Sequence, residues 1–308
     1  MMTDALRPYA HKIVRDHERQ GAAGGRRVGC HRLAGSRRPE KGSLGAGQPP
    51  DNRLVDIEGF VRDGCLAIRG AVDADVAAAC ADEIWAVLAA EGVSRTDRRT
   101  WTRPCVRIAC PEGAPFAAAG TSPALTSVYD ELLGPGRWTR RAGVGGTVPV
   151  RFPSEEDPGD AGHHIEGSFR GGGEGWVNVR SRGRGLLALF LFSDVGPDDA
   201  PARLVLGSHQ WVPRVLAPAG EAGMAFGPVA ARLPPSVLSR RTVEATGRAG
   251  DVFVCHPFIV HTATWPHRGT EARLVAQPGI EVADGFRVDG SDPSPVARAI
   301  VAGLDKDW

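Results

Sequence analysis

The chain has 308 residues, 42% hydrophobic and 24% charged, enough to bury a sizeable core in one domain of about 250 to 300 residues or in two small ones. Thirty-seven basic residues face thirty-six acidic ones, a net charge of +1, so the basic surplus of nucleic-acid binders is missing and no nucleic-acid partner is expected. No stretch approaches the about 20 apolar residues of a membrane span, and the opening MMTDALRPYAHKIVRDHERQ lacks the apolar run of a signal peptide, which sets the expectation of a cytoplasmic protein without a membrane partner.

Residues 1–50 are rich in Gly, Arg, Ser and Pro and show no sustained hydrophobic period beyond a short helical pattern at 5–19. They are expected to form a disordered arm without a functional role. Over 51–308 a single domain is expected, with a helical lead-in over 51–145, a β-rich core over about 146–281 and a tail over 282–308. In the lead-in, LVDIEGFVRDG reads as a short helix, CLAIRGAV as a strand and ADVAAACADEIWAVLAAEGV as an amphipathic helix ended by Gly92. CVRIA reads as a strand, and SPALTSVYDELLG as a helix capped by Ser122 and stopped by Gly134.

After residue 146 helical patterns become scarce. TVPVRF, GHHIEGSF, WVNVRS, LLALFLF, ARLVL, TVEATG, DVFVCH, FIVHTA and ARLVAQPGIEV are short strand-like runs separated by Gly, Pro and Asp, the pattern of a sandwich or barrel. A helical insertion is expected near 209–217 and a closing helix at PVARAIVAGL. The fold class is therefore mainly β, a jelly-roll or barrel core with flanking helices. Cys30, Cys65, Cys80, Cys105, Cys110 and Cys255 form no C-x-x-C pair and read as mostly buried thiols rather than a disulfide scaffold.

Six of the nine histidines (His163, His164, His209, His256, His261 and His267) fall in the β-rich half. His164-Ile165-Glu166 is an H-x-E step, and residues i and i+2 of a strand project from one face, so imidazole and carboxylate can reach one ion. His163 would face the opposite way. A second histidine would complete a two-His, one-carboxylate triad, which leaves cis positions open for a co-substrate and O2 on a non-haem Fe(II) ion.

The segment GDVFVCHPFIVHTATWPHRGTEARL resembles the phytanoyl-CoA dioxygenase family of Fe(II)/2-oxoglutarate oxygenases. Gly250-Asp251, His256-Pro257, His261 ten residues after Asp251, and Arg273 twelve residues after His261 follow that family's order. GHHIEGSF is similar to its H-x-D step, with Glu166 in place of the commoner aspartate, and LFLFSDVGPDDAPARLVLGSHQWVP is similar to its strand, acidic turn and Gly-Ser-His segment. The resemblance spans about 54–281 and implies a double-stranded β-helix. It implies Fe(II) held by His164, Glu166 and His261, 2-oxoglutarate anchored by Arg273, O2 as the other co-substrate, and hydroxylation of a small organic molecule with release of succinate and CO2. A carboxylate at position 166 fills the place that a related halogenase leaves to its halide, so hydroxylation is expected.

The remaining candidates read as structural: His256 as a bend residue, His209 as a loop anchor beside a capping Ser208, and His267 as solvent-exposed. A lone arginine is usually a surface residue, but Arg273 lies in the apolar run ARLVA, where a buried guanidinium needs an anionic partner. Arg151, Asn178, Arg180, Ser181, Arg182 and Arg184 are secondary candidates for contact with substrate or co-substrate. Two other readings stay open: a cupin-like barrel that binds metal or ligand without catalysis, and a zinc hydrolase, for which no general base stands out.

Overall fold

The computed structural model describes residues 55–171 and 174–306; the expected arm over 1–50, its helical pattern and Cys30 lie outside the described residues. In chain order come helix α1 (Ile57–Asp63), strand β1 (Cys65–Ile68), α2 (Ala74–Ala90), β2 (Cys105–Ala109), α3 (Ala114–Gly120) and α4 (Pro123–Leu133). Strands then predominate: β3 (Thr147–Arg151), β4 (Phe169–Gly171), β5 (Glu174–Val177), β6 (Leu186–Leu191) and β7 (Arg203–Val205). After α5 (Val212–Leu216) follow β8 (Met224–Ala225), α6 (Pro235–Leu238), β9 (Thr242–Glu244), β10 (Val252–Cys255), β11 (His261–Thr262), β12 (Val275–Ala276), β13 (Gly279–Ile280) and α7 (Pro295–Leu304).

The largest sheet runs β1-β10-β6-β12, with β13 also on β6, and every pairing is antiparallel. A second antiparallel sheet runs β11-β7-β9 and is extended past β11 by a bridge between His164 and His261. The alternation of side chains explains why LLALFL is apolar at every position. Leu187, Leu189 and Leu191 of β6 join Phe253, Cys255, Leu204 and Ala245 in a core that spans the two sheets. Leu186, Ala188 and Phe190 point the other way, into the larger core shared with the helices. A strand covered on both faces has no polar side to show. Helix α2 buries Ala77, Cys80, Ala81, Ile84, Trp85 and Leu88, a three-and-four spacing that makes one apolar stripe.

Two local expectations need correction, and helix α3 adds an element that the sequence pattern does not announce. Ser122 precedes α4 but does not cap it with its side chain; its hydroxyl donates to the Ala71 carbonyl instead, at 2.5 Å, which ties α4 to the turn after β1. Helix α3 lies in EGAPFAAAG, where a run of small residues shows little amphipathic contrast. Most of GHHIEGSF is not strand: His164 makes a single bridge and regular pairing resumes only at Phe169. Of the described cysteines, Cys80, Cys110 and Cys255 are buried and Cys65 and Cys105 half-buried, all as free thiols. No helix among the described residues is long and apolar enough to cross a membrane.

Candidate metal centre

His164 and His261 are held by the backbone as one antiparallel pair: His164 N–H donates to the His261 carbonyl at 3.0 Å and His261 N–H to the His164 carbonyl at 2.9 Å. Residues opposite one another in such a pair project from the same face, and the two rings lie 4.3 Å apart between centroids. Ile165 is buried in the core, so the chain turns His164 and Glu166 to the other side even though the segment is irregular. One Glu166 carboxylate oxygen lies 3.4 Å from His261 Nε2 and 3.9 Å from His164 Nε2. Each of the three residues has a ligand atom within 4.8 Å of the others'. His163 is exposed and outside the group.

The second nitrogen of each ring defines the tautomer. His164 Nδ1 lies 2.8 Å from the Gly162 carbonyl and His261 Nδ1 lies 3.1 Å from the Ile259 carbonyl. A carbonyl only accepts, so each Nδ1 carries a proton, and Nε2 is the ring atom that each histidine turns toward Glu166. Burial, then the nearby His261, push His164 down to about 4, and the ring is neutral near pH 7. Burial opposes ionisation of Glu166, but the adjoining His261, Arg184 and His164 outweigh it and hold the carboxyl at about 2. Two imidazole Nε2 atoms and an ionised carboxylate thus converge. Such a donor set fits a divalent cation, and the outward Nδ1–H bonds orient the rings as ligands require.

Arg273 is 3% exposed. Its Nη1 donates to the Ala200 carbonyl, and its Nε has no partner. Burial, followed by the neighbouring Arg151, lowers its pKa to about 9. An orphaned donor on a buried guanidinium fits an anionic ligand that completes it. The other arginines divide. Arg180 is occupied by Glu221 and by the Phe286 and Asp284 carbonyls, and Arg182 lies over the Phe169 ring, 4.3 Å from its centroid. Arg184 donates to the Gly167 carbonyl at 3.1 Å, beside Glu166.

His209 and His256 are fully buried and pack together, 4.7 Å between ring centroids, in keeping with structural roles. Ser208 does not cap a helix: its hydroxyl donates to the Val205 carbonyl and accepts from Val260 N–H. His267 is buried at 5% exposure, not solvent-exposed; it forms a ladder pair with Ser154 and lies 3.9 Å from Asp199. Sequence reasoning missed Asp160, whose carboxylate joins Arg151 and Arg107 at 2.5 and 2.6 Å. Nothing in EEDPGD marks it out from its acidic neighbours.

No family model matches the chain, and no curated protein matches it. Solved structures do. The non-heme alpha ketoglutarate dependent epimerase SnoN from nogalamycin biosynthesis is 21% identical, with a TM-score of 0.52 over 74% of this chain and 81% of that one. SnoN in complex with Fe3+, alpha ketoglutarate and nogalamycin RO gives 21% identity and a TM-score of 0.51 over 74% and 82%. A putative oxidoreductase from Salmonella typhimurium LT2 is 11% identical, with a TM-score of 0.50 over 76% of this chain and 71% of that one. At these identities the likeness is one of fold.

Proposed function

We propose that the protein is an Fe(II)- and 2-oxoglutarate-dependent oxygenase of the phytanoyl-CoA dioxygenase type, which hydroxylates a small organic substrate and releases succinate and CO2. The observation that carries this reading is the convergence of His164 Nε2, His261 Nε2 and the Glu166 carboxylate, with both Nδ1 protons turned outward. Those three residues would hold Fe(II), which would supply open positions for a chelating 2-oxo acid and O2. Arg273 would hold the far carboxylate of 2-oxoglutarate, its fork matching a carboxylate's geometry. Bound in this way, iron and its co-substrate supply the O2 chemistry that side chains lack.

The chain's own part is positional. The paired backbone of His164 and His261 sets the direction of both rings, and the carboxylate of Glu166 occupies the place a halide would need, which favours hydroxylation over halogenation. The two facing antiparallel sheets, with the site at the end of the smaller one, support a double-stranded β-helix core. SnoN, whose complex holds Fe3+, alpha ketoglutarate and nogalamycin RO, supports a small-molecule substrate.

The test is anaerobic addition of Fe(II) and then 2-oxoglutarate. The expected result is uptake of one iron and a weak visible charge-transfer band that appears only with both present. A protein that takes up metal but gives no band and no 2-oxoglutarate binding is a metal-binding barrel, and the proposal is then wrong.

A further inference from the structure

The β2–β3 register gathers charge on one face. Cys105 lies opposite Arg151 and Arg107 opposite Pro149, while Val106, Ile108, Val148 and Val150 alternate to the other side and are buried in the core. Beyond β3 the ladder continues by a bridge in which Arg151 N–H donates to the Arg273 carbonyl at 3.1 Å and Arg273 N–H to the Arg151 carbonyl at 2.8 Å. Opposite residues share a face, so Arg107, Arg151 and Arg273 project to the same side. Arg151 and Arg273 are each 3% exposed. Asp160 is the one carboxylate among the described residues that forms an ion pair with any of the three. Its oxygens take Nη2 of Arg151 and Nη2 of Arg107, and the Nε atoms of both Arg151 and Arg273 have no partner.

Two buried guanidiniums side by side repel, and burying charge is costly unless an opposite charge is supplied. Asp160 supplies one for Arg107 and Arg151 together, and reaches Arg273 only as a more distant charge without an ion pair. Both orphaned donors belong to paired residues on one face, and a carboxylate offers about four lone-pair sites, enough to accept from two guanidiniums at once. We infer that Arg151 is a second arm of the co-substrate anchor, gripping the far carboxylate of 2-oxoglutarate together with Arg273. This rests on the 2-oxoglutarate reading of the site. It adds a specificity: the pocket discriminates a dianionic 2-oxo acid from a monoanionic one by two arginines rather than one.

The experiment is anaerobic titration calorimetry of the Fe(II)-loaded full-length protein with 2-oxoglutarate and with 2-oxopentanoate, which has the same carbon skeleton and chelating end but no far carboxylate. The parent should prefer 2-oxoglutarate. Arg151→Ala should weaken 2-oxoglutarate by at least about tenfold, as for loss of a buried charge-assisted contact, while 2-oxopentanoate stays within about twofold. Arg151→Gln, which retains a donor toward Asp160, provides a second variant should Arg151→Ala fail to fold, with the same expected loss. Arg151→Lys should recover part of the preference, since it restores the charge without the fork. An unchanged preference in the variants, or equal weakening of both acids, overturns the inference and leaves Arg151 a structural residue. A parent that binds no 2-oxoglutarate removes the co-substrate reading itself, and the inference falls with it.

Discussion

His164 and His261 exchange both backbone hydrogen bonds of an antiparallel pair, and their Nε2 atoms face the same Glu166 oxygen. The convergence of these side chains is therefore written into strand register: a slip of one residue would turn one ring to the opposite face. The backbone bonds do not depend on the side chains. His164→Ala and His261→Ala should accordingly keep the fold, read by circular dichroism and melting temperature, while Fe(II) affinity falls by more than about 100-fold, beyond what loss of an outer-shell partner costs. Metal content equal to the parent in both variants would remove these residues from the site.

Arg273 is not one of the three converging residues, and the one hydrogen bond of its side chain is to the Ala200 carbonyl. Arg273→Ala should leave Fe(II) affinity within a few-fold. It should raise the 2-oxoglutarate dissociation constant by about 30- to several-thousand-fold, the equivalent of about 2 to 5 kcal/mol for stranding a buried charge. Anaerobic titration of both ligands checks the asymmetry. Equal 2-oxoglutarate affinity in parent and variant would assign Arg273 to the Ala200 turn alone.

Local pattern made much of this legible. The stripe of α2, the alternation in VRI of β2 and the doubly covered LLALFL of β6 appear where their periods place them, because each repeats one physical constraint over several residues. The H-x-E step and His261, which the structure brings together, stand out in the sequence because a two-His, one-carboxylate donor set needs those residue types. What stayed hidden depends on partners far along the chain. Asp160 meets Arg107 from 53 residues earlier, and His267 is buried by a pairing with Ser154 that no short motif announces. Helix α3 escaped because Ala and Gly in PFAAAG give little contrast between faces.

The Gly250-Asp251 step, which supported the family resemblance, has a conformational cause. Gly250 has φ +96°, and a Cβ there would run into the Val72 carbonyl oxygen. Asp251 then accepts from Gly70 N–H at 2.8 Å, Arg248 N–H at 2.9 Å and Arg69 Nη1 at 2.8 Å, which fastens the turn before β10 to the end of β1. Gly250→Ala should cost about 1 to 3 kcal/mol from backbone strain, with the contact at Val72 added, and lower the melting temperature by several degrees. A melting curve that superimposes on the parent's would show that the turn tolerates a side chain.

The buried histidine pair makes stability depend on pH from neutrality down toward the carboxylate range. His209 Nε2 lies 3.0 Å from the Val61 carbonyl, and His256 Nδ1 accepts from Phe258 N–H at 3.1 Å. Burial pushes His209 down to about 4 and, with His209 beside it, His256 well below its ordinary value; the hydrogen bond of His209 to the Val61 carbonyl is the main opposing influence, Lys306 and Arg240 lower His209 further, and Asp63 raises it. In the unfolded chain both titrate near 6.5. Between about 6.5 and 4 the unfolded state therefore binds more protons, and stability falls as pH falls through that window. From pH 7.5 to 5 one such group costs about 2 kcal/mol, the linkage integral for a pKa near 6.5 unfolded and about 4 folded. His209→Gln, whose amide can still donate to Val61, should lose less stability than the parent between pH 7.5 and 5, whatever its stability at pH 7.5. Urea unfolding at the two pH values measures the difference, and an identical loss in parent and variant would show that His209 is not the acid-sensitive group.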